Sequence, residues 1–312
     1  MNAPGRRLIV ILGPTASGKS ALAITLAENI GGEIVCCDST QVYRHFDIGT
    51  GKVPLEQRHG IPHHLIDLID PEEIFTAGEY RRRTVETLAE ITDRGKIPVL
   101  TAGTGLYLRA LLEGLADAPT RSESLRERLR QGETLKGPEY LHRTLRRLDP
   151  ETASKIARSD TQKLIRAIEI RLLSGKPVGE VHRHGRVGLE GYSVLKIGLA
   201  PQRAALYSRI DQRVTGMIES GWVNEVRRLK ESGLPATAKP FTFLGYSHLC
   251  EHIQGTKTLE QAIRETQQAT RRYAKRQITW FRREAGVHWF KGFGDDPRIR
   301  ETPLELVRSP WP

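Results

Sequence analysis

Three clusters of side chains carry chemistry. The first is Gly13-Pro14-Thr15-Ala16-Ser17-Gly18-Lys19-Ser20, which matches the phosphate-loop pattern G-x-x-x-x-G-K-[ST]. Such a loop turns backbone N–H groups and a helix N-terminus towards a phosphate chain. Lys19 adds a point charge, and Ser20 is the candidate ligand for Mg²⁺. A nucleoside triphosphate and an organic diphosphate both suit it. The second cluster is Asp38-Ser39-Thr40-Gln41, where Asp38 has three possible tasks: a metal-side carboxylate, a general base, or a turn-former. The small-residue stretch Ala102-Gly103-Thr104-Gly105 belongs with it, and its Thr104 hydroxyl is a candidate donor to a phosphate or leaving group. The third is a run of seven Lys or Arg between positions 264 and 283, of which Arg264, Arg271, Lys275 and Arg282 share a helical face, with Tyr273, Ile278, Trp280 and Phe281 covering the other side. Arg209 and Arg213, four apart on another helix, are within reach of a diphosphate.

The elements that must hold these groups are readable from pattern. Residues 7–12 form a continuous apolar run that ends in glycine, as in a strand buried on both faces of a parallel sheet. Helical spacing over 18–30 stops at Gly31-Gly32, and 33–37 is a second short strand ending at Asp38. Strand, glycine turn, helix and strand make a βαβ unit. In a parallel sheet the carboxyl ends of neighbouring strands border one crevice, which brings Asp38 towards the phosphate loop. Thr76 to Glu79 reads as a capping box for a helix to Arg94; 96–101 is another buried strand and 105–112 a helix. From 125 to 174 the pattern is helical, with entries at Asp149-Pro150 and Ser159-Asp160. A strand over 192–199, a helix after Pro201, a long helix over 259–284 and a strand at 288–290 follow. The expected fold is α/β: a P-loop nucleoside-triphosphatase-like core with a parallel sheet (1–118 and 191–312), plus a helical insertion domain (119–190). The strand 99–102 has no terminal acid, which weakens a plain ATPase reading.

The chain has 312 residues, 48 Lys plus Arg, 37 Asp plus Glu and a formal net charge of +11. The excess is uneven: residues 1–120 carry −3 and residues 121–312 carry +14. A basic second part predicts a polyanionic partner, either nucleic acid or an anionic membrane surface. The apolar run at 8–12 is too short to span a bilayer. Three cysteines (Cys36, Cys37, Cys250) give neither a disulfide framework nor a zinc spacing, so a reducing cytoplasm is expected. His63-His64 and the pair His182 and His184 read as loop histidines and not as metal ligands.

The ordered set LGPTASGKS, DSTQVY, HHLID, AGTGLY, SDTQKLIRAIE, RIDQRV and TRRYAKRQITWFRR resembles the bacterial tRNA dimethylallyltransferases (tRNA isopentenyltransferases) from about residue 9 to 283. The family transfers a dimethylallyl group from its diphosphate to N6 of the adenosine immediately 3′ of the anticodon. The resemblance implies that residues 13–20 hold the prenyl diphosphate, with Mg²⁺ at Ser20. It makes Asp38 the general base and gives Thr104 and Arg213 to the leaving diphosphate. It also implies tRNA contacts, on the anticodon stem-loop, from Asp38, Ser39, Thr40, Gln41, Thr104, Arg126, Gln162, Lys163, Leu164, Ile165 and Arg166; the basic helix adds Arg271 and Lys275. Ala102, Lys163 and Ser247 depart from the usual residues. The expected enzyme is a cytoplasmic monomer with no membrane partner, and the end of the chain soon after the basic helix suits a bacterial origin. The rival functions are a P-loop small-molecule kinase or ATPase, and an isopentenyltransferase acting on free adenine nucleotide.

Overall fold

A computed structural model describes residues 6–309. Six strands form one wholly parallel sheet: β1 (Arg6–Leu12), β2 (Glu33–Cys37), β3 (His63–His64), β4 (Pro98–Ala102), β5 (Tyr192–Leu199) and β6 (Val287–Phe290), in the order β3-β2-β4-β1-β5-β6. The central strand β1 is apolar and has no exposed residue from Leu8 onward, because neighbouring strands and helices cover it on every side. Register then does the positioning. Leu12 lies beside Ala102, and Ala102 beside Cys37, so the phosphate loop, the Asp38 turn and the Gly103 turn all leave the sheet at one edge.

Helix α1 (Lys19–Ile30) follows the phosphate loop, whose chain reversal uses positive φ at Ala16 (62°) and Gly18 (85°). Its apolar face packs on Ile9, Ile11, Ile34 and Ile197, the principal core of this part of the chain. Helix α2 (Ala77–Asp93) starts at Thr76, whose hydroxyl accepts the Glu79 amide at 3.1 Å, as the capping pattern predicts. Helix α3 (Gly105–Leu112) follows β4.

The chain divides into two compact units: residues 1–111 with 190–312, and residues 112–189. The second unit is helical: α4 (Glu123–Lys136), α5 (Tyr140–Leu148), α6 (Pro150–Lys155), α7 (Thr161–Ser174) and α8 (Val178–Arg183). Asp149 caps α6 by accepting from Thr152, and accepts the Val178 amide at 2.9 Å, so one buried carboxylate starts one helix and anchors another. In the first unit, β5 is followed by α9 (Arg203–Glu219), α10 (Trp222–Glu231), α11 (Tyr246–Ile253) and α12 (Leu259–Phe281); after β6 comes α13 (Pro297–Arg308). Thr258 and Gln261 close a full capping box at the start of α12.

Two expectations need correction. His63 and His64 are not loop residues: they form the edge strand β3, and His64 Nε2 meets the Glu33 carboxylate at 2.6 Å. His182 lies within α8 and His184 caps it. Among the described residues no helix is long and apolar enough to cross a membrane.

Candidate active site

The three loops at the sheet edge border a cleft of about 1370 Å³, lined by Thr15 to Ser20, Asp38, Gln41, Gly103 and Arg213, with Asp47 to Leu55 forming a further wall. All of these residues lie in the first unit. Lys19 Nζ donates to the carbonyls of Gly13 (3.0 Å) and Pro14 (2.9 Å), which folds the ammonium back over its own loop. Burial drags its pKa down to about 8, Asp38 opposes that shift, and Arg213 adds to it. Lys19 is a cation at neutral pH with little charge in reserve. An incoming anion would raise that pKa again.

Asp38 is both a turn-former and something more. Its Oδ1 accepts the Thr40 amide (2.8 Å) and the Thr40 hydroxyl (2.6 Å), a short side-chain turn that fixes the carboxylate plane. Its Oδ2 points the other way, against Gly103: a Cβ on that glycine would lie 2.6 Å from Oδ2. Gly103 is therefore needed for close approach, and the small-residue loop after β4 exists to let the carboxylate in. The amides of Gly103 and Thr104 both donate to the Cys37 carbonyl at 3.0 Å, locking that loop to the end of β2.

Arg213 comes from α9. Its guanidinium lies over Gly51, where any side chain would overlap it, and Gly51 also needs its positive φ of 67°. The surrounding protein lowers its pKa from the ordinary arginine value; Asp38 opposes this and Arg209 reinforces it. The loop carrying Gly51 is itself held firmly. Glu225 Oε2 accepts the amides of Asp47 (3.1 Å) and Ile48 (2.8 Å), and Lys52 Nζ reaches Tyr43 O, Asp47 and Asp67. Gln41 Nε2 donates to Thr50 O at 3.1 Å. Ser20 lines the same cleft with its side of α1 exposed.

Several sequence-derived candidates are engaged within the protein. Thr104 stands half-buried beside Gly103 at the same sheet edge: its hydroxyl accepts the Ser39 amide at 3.0 Å and donates to Ser39 Oγ at 3.2 Å, so it braces the Asp38 turn. Ser39 and Thr40 are half-buried parts of that turn. Arg209 is held by Asp295 in a two-pronged pair (2.7 and 2.6 Å). Arg271 pairs with Asp211 on α9 (2.6 Å to Oδ2) and is only partly exposed, whereas Lys275, Arg272 and Arg276 face outward. In the helical unit, Arg126 is interior. It makes two bonds to the fully buried Glu169 (2.9 and 2.8 Å), and Leu164 and Ile165 belong to the core. These three were expected at an RNA surface; helix packing turns them inward and leaves Gln162 and Lys163 exposed, with Arg166 partly so and tied to Glu169.

The spacing gave no sign of Gln277 or Glu225. Gln277 is almost fully buried and bonds Thr15 and Gly103 at once. The glycine run after β4 was the one available hint for Gly103.

The IPP transferase family model matches residues 41–284. The chain belongs to the IPP transferase family. A tRNA dimethylallyltransferase of Solibacter usitatus is 53% identical over 96% of this chain and 97% of the relative, and that of Koribacter versatilis is 51% identical over 97% and 98%. Among solved structures, the full-length tRNA isopentenylpyrophosphate transferase of Bacillus halodurans is similar with TM-score 0.71 at 35% identity, covering 97% of this chain and 95% of that one. A eukaryotic dimethylallyltransferase described as acting on tRNA is similar with TM-score 0.80 at 27% identity, covering 98% and 81%. This IPP transferase family member is accordingly a transferase built on the P-loop α/β fold.

Proposed function

We propose that the enzyme transfers a dimethylallyl group from dimethylallyl diphosphate to N6 of the adenosine immediately 3′ of the anticodon in tRNA, releasing diphosphate. The observation that carries this reading is the one-sided bonding of Asp38. Oδ1 is committed to Thr40, and Oδ2 is aimed along Gly103 in a cleft that also holds Lys19 and Arg213.

The chemistry follows from those groups. The adenine amine attacks the allylic carbon, a C–N bond forms, and the C–O bond to diphosphate breaks. The amine is a weak nucleophile, so its proton passes to Asp38 Oδ2 as the bond forms. Negative charge grows on the departing diphosphate, where Lys19, Arg213 and the amides of the phosphate loop stabilise it. Ser20 suits Mg²⁺, since its hydroxyl is a hard oxygen donor on the cleft wall at the first turn of α1. The ion, when bound, would neutralise diphosphate charge. The adenosine must leave its stack to enter such a cleft. Lys275, Arg272 and Arg276 on the outer face of α12, with Gln162 and Lys163 on α7, are the exposed groups proposed to meet the anticodon stem-loop. Three free cysteines support a reducing cytoplasm.

The test is incubation with labelled dimethylallyl diphosphate, Mg²⁺ and unmodified tRNA. Label in tRNA at the adenosine 3′ of the anticodon is the expected result. Label transferred to adenine nucleotide alone, or γ-phosphate released from ATP in its place, would favour one of the rival activities.

A further inference from the structure

Gln277 occupies an unusual position. From the inner face of α12 its Oε1 accepts the Thr15 amide at 2.7 Å and its Nε2 donates to the Gly103 carbonyl at 2.7 Å. Only one orientation of the carboxamide satisfies a donor at one end and an acceptor at the other. One turn earlier, Tyr273 donates its hydroxyl to the same Gly103 carbonyl at 3.2 Å. Burial pushes the Tyr273 phenol pKa up, so that donor stays protonated.

Each end of this bridge is one step from a reacting group. Thr15 follows Pro14, whose carbonyl Lys19 grips. Gly103 is the residue against which Asp38 Oδ2 rests. The preceding turn of α12 carries Lys275 and Arg276, which are exposed and basic. We propose that Gln277 is a positioning residue for prenyl transfer: it fixes the phosphate loop and the Gly103 turn in one register, and it links both to the basic helix. The inference rests on the proposed function. Its content is that the spacing between Lys19 and the Asp38 carboxylate is set by Gln277, on the wall of the same cleft, through its two hydrogen bonds.

The informative variant is Gln277→Glu, which keeps size and the acceptor for Thr15 but loses the donor to Gly103. As a carboxylate it repels that carbonyl; as a neutral acid it can donate to it, and burial favours the neutral form. Single-turnover transfer to tRNA is measured for wild type and variant at about pH 6 and about pH 8, and the variant is expressed relative to wild type at each pH. At the higher pH the rate should fall roughly tenfold to a hundredfold, with tRNA affinity unchanged, because small displacements of reacting groups cost that much. At the lower pH the gap should narrow by about threefold or more as the acid protonates. Tyr273→Phe, which keeps the bridge, should lose only a few-fold at both pH values.

A Gln277→Glu rate within about twofold of wild type at both pH values would overturn the proposal. So would an equal loss at both, accompanied by a lowered melting temperature, since that marks a merely structural residue. If Gln277→Glu does not fold, Gln277→Met decides: it keeps the length of the side chain and removes both hydrogen bonds, and a rate within about twofold of wild type overturns the proposal. A wild-type enzyme that transfers no label to tRNA would instead remove the proposed function on which the inference rests.

Discussion

The cleft of the first unit and the interior of the helical unit hold charge in opposite ways. In the helical unit Arg126 and Arg166 surround Glu169, and the Ser122 amide adds a further bond at 2.8 Å. Burial alone would raise the Glu169 pKa; those hydrogen bonds outweigh it and pull it down to about 2. Charge there is cancelled locally, as expected of a group whose task is to hold helices together. In the cleft, Lys19 and Arg213 form no ion pair among the described residues, and desolvation lowers both pKa values. Two cations facing one open cleft, with Asp38 as the nearby carboxylate and no direct ion pair, suit an anionic ligand.

The largest effect should come from Asp38→Asn. The side chain keeps its shape and an acceptor for Thr40 but loses basicity, so transfer should fall by about two to four orders of magnitude while tRNA affinity stays close to wild type. Single-turnover rates beside filter-binding isotherms check this. A near wild-type rate would mean that another group takes the proton, and the cleft would lose its distinction from an ordinary buried turn. Gly103→Ala attacks the same carboxylate from outside. The added methyl meets Asp38 Oδ2, and a displacement of about 1 Å should cost on the order of a hundredfold in rate.

On the other side of the comparison, Glu169→Gln leaves Arg126 buried without its counter-charge. A loss of about 3–5 kcal/mol in stability is expected, read by urea unfolding, without the rate signature of the Asp38 variant. The pH dependence has a definite sign. Glu169 has a folded pKa depressed to about 2, so its contribution is present above the ordinary carboxylate range and fades as the pH falls towards 2. In the Glu169→Gln variant that portion of the acid destabilisation should be missing.

Lys19 supplies the matching test in the cleft. Its pKa near 8 should rise when an anion binds, so diphosphate binding takes up a proton. Affinity should be steady below pH 8 and then weaken by up to about tenfold per pH unit above it. Calorimetry in buffers of different ionisation enthalpy measures the proton uptake directly. A flat profile from neutral pH to well above 8 would place Lys19 with the internally compensated charges.

How much of this was visible in the sequence divides along the same line. The phosphate loop, the strand at 192–199 and the caps at Thr76, Asp149 and Asp160 follow from local rules, because glycine turns, apolar runs and capping side chains act within a few residues. Helices α10 and α11, between Gly221 and Gly255, lie outside the elements expected from pattern, although Trp222, Val226 and Leu229 have helical spacing. What composition cannot reveal is partnership at a distance. Arg126 looks like any surface arginine until Glu169, 43 residues on, is folded against it, and Arg271 until Asp211 is. Asp38 was open to three readings because its two oxygens do different things, which only the positions of Thr40 and Gly103 reveal.

The smallest expected effect separates paired from unpaired charge on the basic helix itself. Lys275 is exposed and makes no ion pair among the described residues; Arg271, four residues before it, is held by Asp211. If free surface cations carry the RNA backbone, Lys275→Ala should lower tRNA affinity modestly and reduce the slope of log K against log salt by roughly 0.7–0.9. Arg271→Ala should change that slope less, because removing it also frees the Asp211 carboxylate and because its charge is already spent. Binding isotherms across a salt series distinguish the two. Equal slope changes would mean that Arg271 leaves Asp211 when RNA arrives, and the pair would then belong with the exchangeable charges of the cleft and not with the fixed ones around Glu169.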